Sequence, residues 1–421
     1  MSSFLRLFSL IALLGLMSLN IYPQKTLIDI SNIVDTVTTP EGIQGVGIRV
    51  PGVPPTDFTG PPAEYTRSTV ILQTVPAFNW CFGCSATSGA MMAGYYDNHG
   101  YPNCYAGPTN NGIMPMTNAA WPDVMINGEN RHQCPLSATR NGVDGRSTRG
   151  HVDDYWISNG SPGPDPWVTN GWVEHTHGDC TGDFMKTSQW LDPPENINND
   201  GWTTFWYRTD GGQATPSTIE GWGVDDRDGG YGLMEFFESR GYTVTDMYNQ
   251  YIIEEGNTYG FTFQDFKDQI DAGRPVLIHV TNHTMLAYGY NDTGGNEIMY
   301  IHDTWDWADH QMDWAGTYGG RQHYAVTVIE LQASDINVWT GDYNTYWANS
   351  NNWSLGHIPT STEDVVIPDV GVPCNIDFYS ANCNNLDVYP GAELRVYDEI
   401  LDVNGALTLS GKIEMNLENA Q

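Results

Sequence analysis

Positive charge is what this chain has least of. Its 421 residues carry 17 Lys and Arg against 51 Asp and Glu, a formal net charge of −34. Phosphate neutralisation would work against a field of that sign, so nucleic acid and anionic membrane are excluded as main partners. Charged residues of either sign make up 16%, below the usual figure of about a quarter, and a coiled coil is excluded with them. Long apolar runs are missing too. The one such run, Leu7 to Met17 behind Arg6, is too short to cross a bilayer and suits an export signal. Residues 1–24 are therefore read as a signal peptide, no integral membrane segment is expected after it, and the protein is expected to be secreted or on the cell surface.

Glycine and aromatics are plentiful. With 45 Gly, 24 Pro and 15 Trp, loops and strands should dominate, and the large rings supply enough buried area for a core. At about 150 residues per domain the length suits two to three domains. Residues 25–69 read as an N-terminal arm or linker, with a Pro-rich stretch from Pro51 to Pro55. Residues 70–332 read as the main domain, interrupted by an insertion around 105–225. Residues 333–421 read as a β-rich module of short strands with polar turns, a sandwich or a β-solenoid, expected to be truncated because its pattern runs to the last residue. Seven cysteines follow the export segment. An oxidising compartment should pair most of them, with Cys374 and Cys383 the natural local disulfide and at least one upstream thiol left over.

Small residues follow Cys84, and Met91, Met92, Tyr95 and Tyr96 stand at helical spacing, which predicts a helix starting at or just before Cys84. Unpaired N–H groups and the helix dipole stabilise a thiolate at that position. A nucleophilic cysteine also needs an imidazole and a group to orient it. Thr284 to Tyr290 and Glu297 to His302 predict an antiparallel hairpin across the turn Asn291 to Asn296. His283 stands at its start and Asp303 at its end, and the turn brings the two side by side. Thr262 and Asp265 predict a capping box for a second helix bearing Phe263, Phe266 and Ile270.

The passage Asn79-Trp80-Cys81-Phe82-Gly83-Cys84-Ser85-Ala86, together with Gly273-Arg274-Pro275-Val276, His283-Thr284-Met285-Leu286 and His302-Asp303-Thr304-Trp305, resembles the papain-like cysteine peptidases related to the bacteriocin-leader (double-glycine) processing peptidases. The resemblance implies an α+β papain-like fold, with a helix bearing the cysteine against an antiparallel sheet bearing the histidine and the aspartate. It implies Cys84 as nucleophile, His283 as general base and Asp303 as orienting group, with a peptide or protein as substrate. The family places a Gln shortly before the nucleophile to donate to the oxyanion; here Asn79, with Gln73 as the alternative, stands nearest. Residues 333–421 resemble the Trp-rich β segments of large secreted or surface proteins of the Bacteroidetes type, which implies adhesion or display. Trp339, Trp347 and Trp353 then have two readings, carbohydrate platforms or core packing, the second preferred.

Other constellations compete. His279 and His283 are four apart but lack the Glu and the helix of a zinc peptidase. His175, His177 and Cys180 offer zinc ligands without a second pair. His323 before a β run is the reserve base. Asp225, Asp226 and Asp228 carry the oxygen ligands calcium prefers without EF-hand spacing, so a solvated turn is the preferred reading, weak calcium binding is the alternative, and no other cofactor is expected. The functional expectation is an exported cysteine peptidase working through a thioester; the alternative is a surface binding protein whose peptidase-like domain has lost activity.

Overall fold

The computed structural model describes residues 32–51, 58–66, 68–81, 83–102, 104–105, 116–121, 123–126, 129–138, 180–187, 201–333, 335–341 and 343–416. The export segment, most of the insertion, and His175 and His177 lie outside them. The architecture is mixed, with sheets predominating over helices. Among the described residues no helix is long and apolar enough to cross a membrane.

A twisted antiparallel sheet of eight strands forms the centre. Its order runs His310–Asp313, Ile298–His302, His283–Asn291, Val276–Val280, Arg321–Leu331, with Val244–Tyr251 and Thr317–Tyr318 also on the last and Val70–Ile71 on His283–Asn291. The strand His283–Asn291 is buried at every position, because the helix Cys84–Asn98 covers one face while Phe263–Asp271 packs on the other side of the same sheet. The capping box forms as the sequence predicts: Thr262 Oγ1 accepts from the Asp265 N–H at 3.1 Å, and the Asp265 carboxylate accepts from the Thr262 N–H at 2.8 Å. Val276–Val280 and His283–Asn291 are joined by Thr281 and Asn282 alone, with Val280 opposite His283. Asn282 takes the left-handed conformation, φ 64°, which Asn tolerates better than most residues. This tight turn sets His283 as the first residue of its strand.

The segment read as an arm is not a free linker. Ile33–Thr38 and Gln44–Val50 form a three-stranded antiparallel sheet with Thr203–Arg208. Val46, Ile48 and Val50 point into the main core beside Phe205 and Trp206, so the binary pattern of a short strand outweighed the proline signal that follows it.

From residue 336 the geometry changes. Strands 336–338, 364–367, 386–388 and 407–409 stack in one parallel sheet, 374–376, 393–397 and 412–416 in a second, and 381–383 and 401–403 in a third. Leu386 pairs with Leu407 and Glu393 with Lys412, so from residue 364 onward the chain returns to the same face every 19 to 21 residues, after a first step of 28 from Ile336 to Asp364. Alternate side chains point inward and are fully buried, among them Val365, Ile367, Leu386, Val388, Leu394 and Val396. Trp339, Trp347 and Trp353 are 0, 2 and 3% exposed and pack edge-on against one another. That burial removes them as carbohydrate platforms. All seven cysteines are buried, and among the described residues no disulfide is formed. Cys374 and Cys383, the pair expected from spacing, belong to different parallel sheets, where each side chain fills the coil's interior.

Candidate active site

Cys84 opens the helix Cys84–Asn98 immediately after Gly83, whose φ is 113°. A side chain at Gly83 would collide with the Gly201 carbonyl, so only glycine lets the chain turn into the helix there. The Thr87 hydroxyl donates to the Gly83 carbonyl at 2.8 Å and accepts from the Cys81 N–H at 3.2 Å, which ties the approach loop to the first helical turn. The Cys84 sulfur accepts from the backbone N–H of Thr284 at 3.4 Å. Thr284 is the residue after His283, so the helix that Cys84 opens and the strand that His283 opens meet at these two positions.

His283 is fully buried and stacks on Trp305, ring centroids 4.4 Å apart and planes at 22°. Its Nε2 lies 2.8 Å from the backbone carbonyl oxygen of Asp303. A carbonyl only accepts, so Nε2 carries the hydrogen and Nδ1 the lone pair. Nδ1 is buried with no hydrogen-bond partner. Burial pushes the imidazole pKa down to about 3, opposed in part by the Asp303 carbonyl and reinforced by Arg321. The ring is therefore a neutral base at physiological pH.

Asp303 meets His283 through its backbone carbonyl. Its carboxylate faces away, accepting from the Trp305 N–H at 2.9 Å and from the Tyr318 hydroxyl at 2.7 Å. His310 Nε2 lies 3.5 Å from the same carboxylate and 2.9 Å from Asp306. Burial raises the Asp303 pKa, with Tyr318 and His310 working against that. Burial would lower His310, yet the carboxylates of Asp303 and Asp306 outweigh it and raise the pKa. Thr304 follows with φ 66°, and its carbonyl accepts from the Trp80 N–H at 2.7 Å. The loop after Asp303 is thereby fastened to the loop before Cys84.

The site is covered. Cys84 is 0% exposed and its thiol donates to the Pro51 carbonyl at 3.4 Å. Downstream on the same segment, Phe58 packs edge-on against Trp305 and Tyr318, at 5.6 and 5.0 Å between centroids.

The remaining sequence candidates are placed elsewhere. The side-chain amide of Asn79 faces His132 at 3.5 Å, and its backbone is held by Asn118 on both sides. Gln73 is exposed and reaches the Ile71 carbonyl at 3.5 Å. Neither hydrogen-bonds within the Cys84 cluster. His323 is buried beside Trp314, its Nδ1 accepting from the Ala315 N–H at 3.3 Å. His279 lies inside the sheet between Thr284 and Thr327. Asp225, Asp226 and Asp228 do not converge on a cation: Asp228 is buried as the cap of the helix Gly229–Ser239, while exposed Asp226 pairs with Arg227. Among the described residues the grouping with metal-ligand spacing is Asp303, Asp306 and His310, whose oxygens already take N–H and O–H donors from Trp305, Tyr318 and Ala308.

Residues 201–328 match the Peptidase_C39 like family, and residues 338–421 match a domain of unknown function (DUF8693). The first span contains His283 and Asp303; Cys84 precedes it. No curated protein and no solved structure matches the chain. The family match supports a cysteine peptidase domain and, with it, peptide or protein substrates.

Proposed function

We propose that the protein is an exported cysteine peptidase in which Cys84 attacks a peptide carbonyl and His283 moves the proton. The observation that carries this reading is the fixed tautomer of His283: Nε2–H is committed to the Asp303 carbonyl, leaving Nδ1 as a buried lone pair on the strand whose next amide touches the Cys84 sulfur. In the covered arrangement both partners are neutral, the thiol bonded to Pro51 and the imidazole held below its usual range. Substrate entry requires the Pro51 carbonyl to leave the sulfur. His283 Nδ1 then takes the thiol proton as sulfur adds to the carbonyl carbon, and returns it to the leaving amine. Water hydrolyses the thioester with the same base. The Thr284 N–H and the helix N-terminus favour the sulfur's negative charge. Residues 336–416 are read as a β-solenoid carried beside the enzyme, without a catalytic set of its own.

The test is iodoacetamide alkylation of Cys84 from pH 4 to 9, mapped by mass spectrometry, in the wild type and in His283→Ala. The reading predicts a midpoint well below the ordinary thiol value of about 8.5, moving up in the variant. Identical profiles near 8.5 in both proteins would contradict it.

A further inference from the structure

His279 and Asp228 take no part in this chemistry, yet both are completely buried, and ionisable groups kept from water need partners for their polar atoms. Their partners form one continuous chain. Asp228 Oδ1 accepts from the Tyr231 N–H at 2.7 Å, and Oδ2 accepts from the Trp206 N–H and the Asn249 side-chain amide, each at 2.8 Å. The same amide nitrogen also donates to the Trp206 carbonyl at 3.3 Å. This fixes the orientation of Asn249, because the flipped amide would aim its oxygen at a carboxylate and a carbonyl. Asn249 Oδ1 consequently accepts from the Thr327 hydroxyl at 2.6 Å. That hydroxyl has only one hydrogen, so its 2.9 Å contact with His279 Nε2 is a donation from the ring. Nδ1 is left as the acceptor, and the Thr284 hydroxyl donates to it at 3.0 Å. The Thr284 oxygen accepts in turn from Ser85 at 2.9 Å. Each link has one permitted direction, and all six side chains from Ser85 to Asp228 are at 0% exposure.

The chain ends where the sulfur sits. Thr284 is held by its hydroxyl as above, and its carbonyl accepts from the Ser88 hydroxyl at 3.1 Å. Its amide is the group that donates to Cys84. We propose that His279 is a positioning residue of the thiol centre: its Nδ1 fixes Thr284, so that the Thr284 amide stays aimed at the Cys84 sulfur as negative charge builds there. A donor held in place beforehand, away from water, needs no reorganisation when the charge appears. Burial, reinforced by His323 and His283, holds His279 to a pKa of about 3, so the neutral ring, with one donor and one acceptor nitrogen, is the form available to the relay. The inference rests on the peptidase reading of Cys84.

The test uses the full-length protein and the same alkylation profile, read in His279→Gln, His279→Leu and Thr327→Val, each checked for folding by circular dichroism. Glutamine keeps an acceptor for Thr284 and a donor for Thr327, and should label within about twofold of wild type at every pH. Leucine keeps the approximate bulk and loses both bonds; the midpoint should rise by about one unit, a roughly tenfold slower reaction at pH 6. Thr327→Val, acting one residue further away, should move it the same way by less, and decides the matter if the leucine variant does not fold. Folded leucine and valine variants with the wild-type profile would overturn the inference, as would a glutamine variant as impaired as the leucine one. A wild-type midpoint near 8.5 would instead overturn the peptidase reading itself.

Discussion

The two halves of this chain treat buried polarity in opposite ways. Between residues 180 and 331 the interior holds Asp183, Asp228, His279, His283, Asp303 and His323, all at 1% exposure or less. From 336 to 416 the described interior is apolar, with Asn337 and Asn352 as its buried polar side chains. Burying an ionisable group costs several kcal/mol unless every polar atom is matched, and a coil whose neighbours are about 20 residues away has no need of one. The part of the fold that holds His283 and Cys84 accepts that cost, and perturbed titration of this kind is what singles it out as the candidate site. The acidic composition common to both halves says nothing of this difference.

The largest break in the comparison should come at the thiol. Cys84→Ala is expected to abolish peptide hydrolysis and His283→Ala to lower kcat/KM by at least about 10²-fold, while urea unfolding of residues 336–416, followed by Trp fluorescence, stays unchanged. The converse is Trp347→Ala. Removing this side chain should destabilise the C-terminal coil by about 3–5 kcal/mol and leave the Cys84 alkylation profile within twofold of wild type.

Acid should separate the halves as well. His279, His283 and His323 are held by burial at about 3 in the folded protein, against 6.5 for the free side chain. The unfolded chain takes up protons that the native one cannot, so the stability they confer is complete above pH 6.5 and is lost as pH falls toward 3, by about 1.4 kcal/mol per group per unit. Asp228, raised by burial to about 6, works the other way between 6 and 3.8. Asp246, Asp303 and His310, whose values are also raised, act in that direction too, while His99, lowered by burial to about 4, adds to the three histidines. Urea titrations at pH 7 and pH 5 should show the central sheet weakened and the coil not, since His357 in the coil is raised by its bond to Glu363 and works the other way.

A smaller effect distinguishes two roles of one residue. Asp303→Asn keeps the carbonyl that holds His283 and changes only the group facing Tyr318 and Trp305, so kcat/KM should fall by less than about tenfold, well short of the His283→Ala loss. Smallest is Thr262→Ala, which removes a cap on an exposed helix end and should cost about 1 kcal/mol in urea unfolding without touching the alkylation profile.

Local signals in the sequence were legible because local physics sets them. The box at Thr262 and Asp265, the helix opening at Cys84 and the hairpin around Asn291 to Asn296 all follow from spacing and turn chemistry within a dozen residues. What could not be read depends on residues far apart. That Asp303 offers its carbonyl to His283 follows from the left-handed turn at Thr304 and the tie to Trp80, neither of which has a sequence signature. His279 looked like a failed metal ligand because its partners, Thr284 and Thr327, lie on two other strands. For Trp339, Trp347 and Trp353 core packing is the preferred reading of the sequence, and the stacked parallel strands enclose all three. The two strands before Pro51 were hidden by the prolines behind them.

The central claim is that Cys84 cleaves peptide bonds through a thioester. It is tested most directly by incubating a defined mixture of synthetic peptides with the protein in water enriched in oxygen-18 and reading the products by mass spectrometry. The account predicts new C-termini carrying one heavy oxygen with the wild type and none with Cys84→Ala. Equal cleavage by both proteins, or no cleavage by a wild type whose Cys84 alkylates rapidly at pH 6, would contradict it.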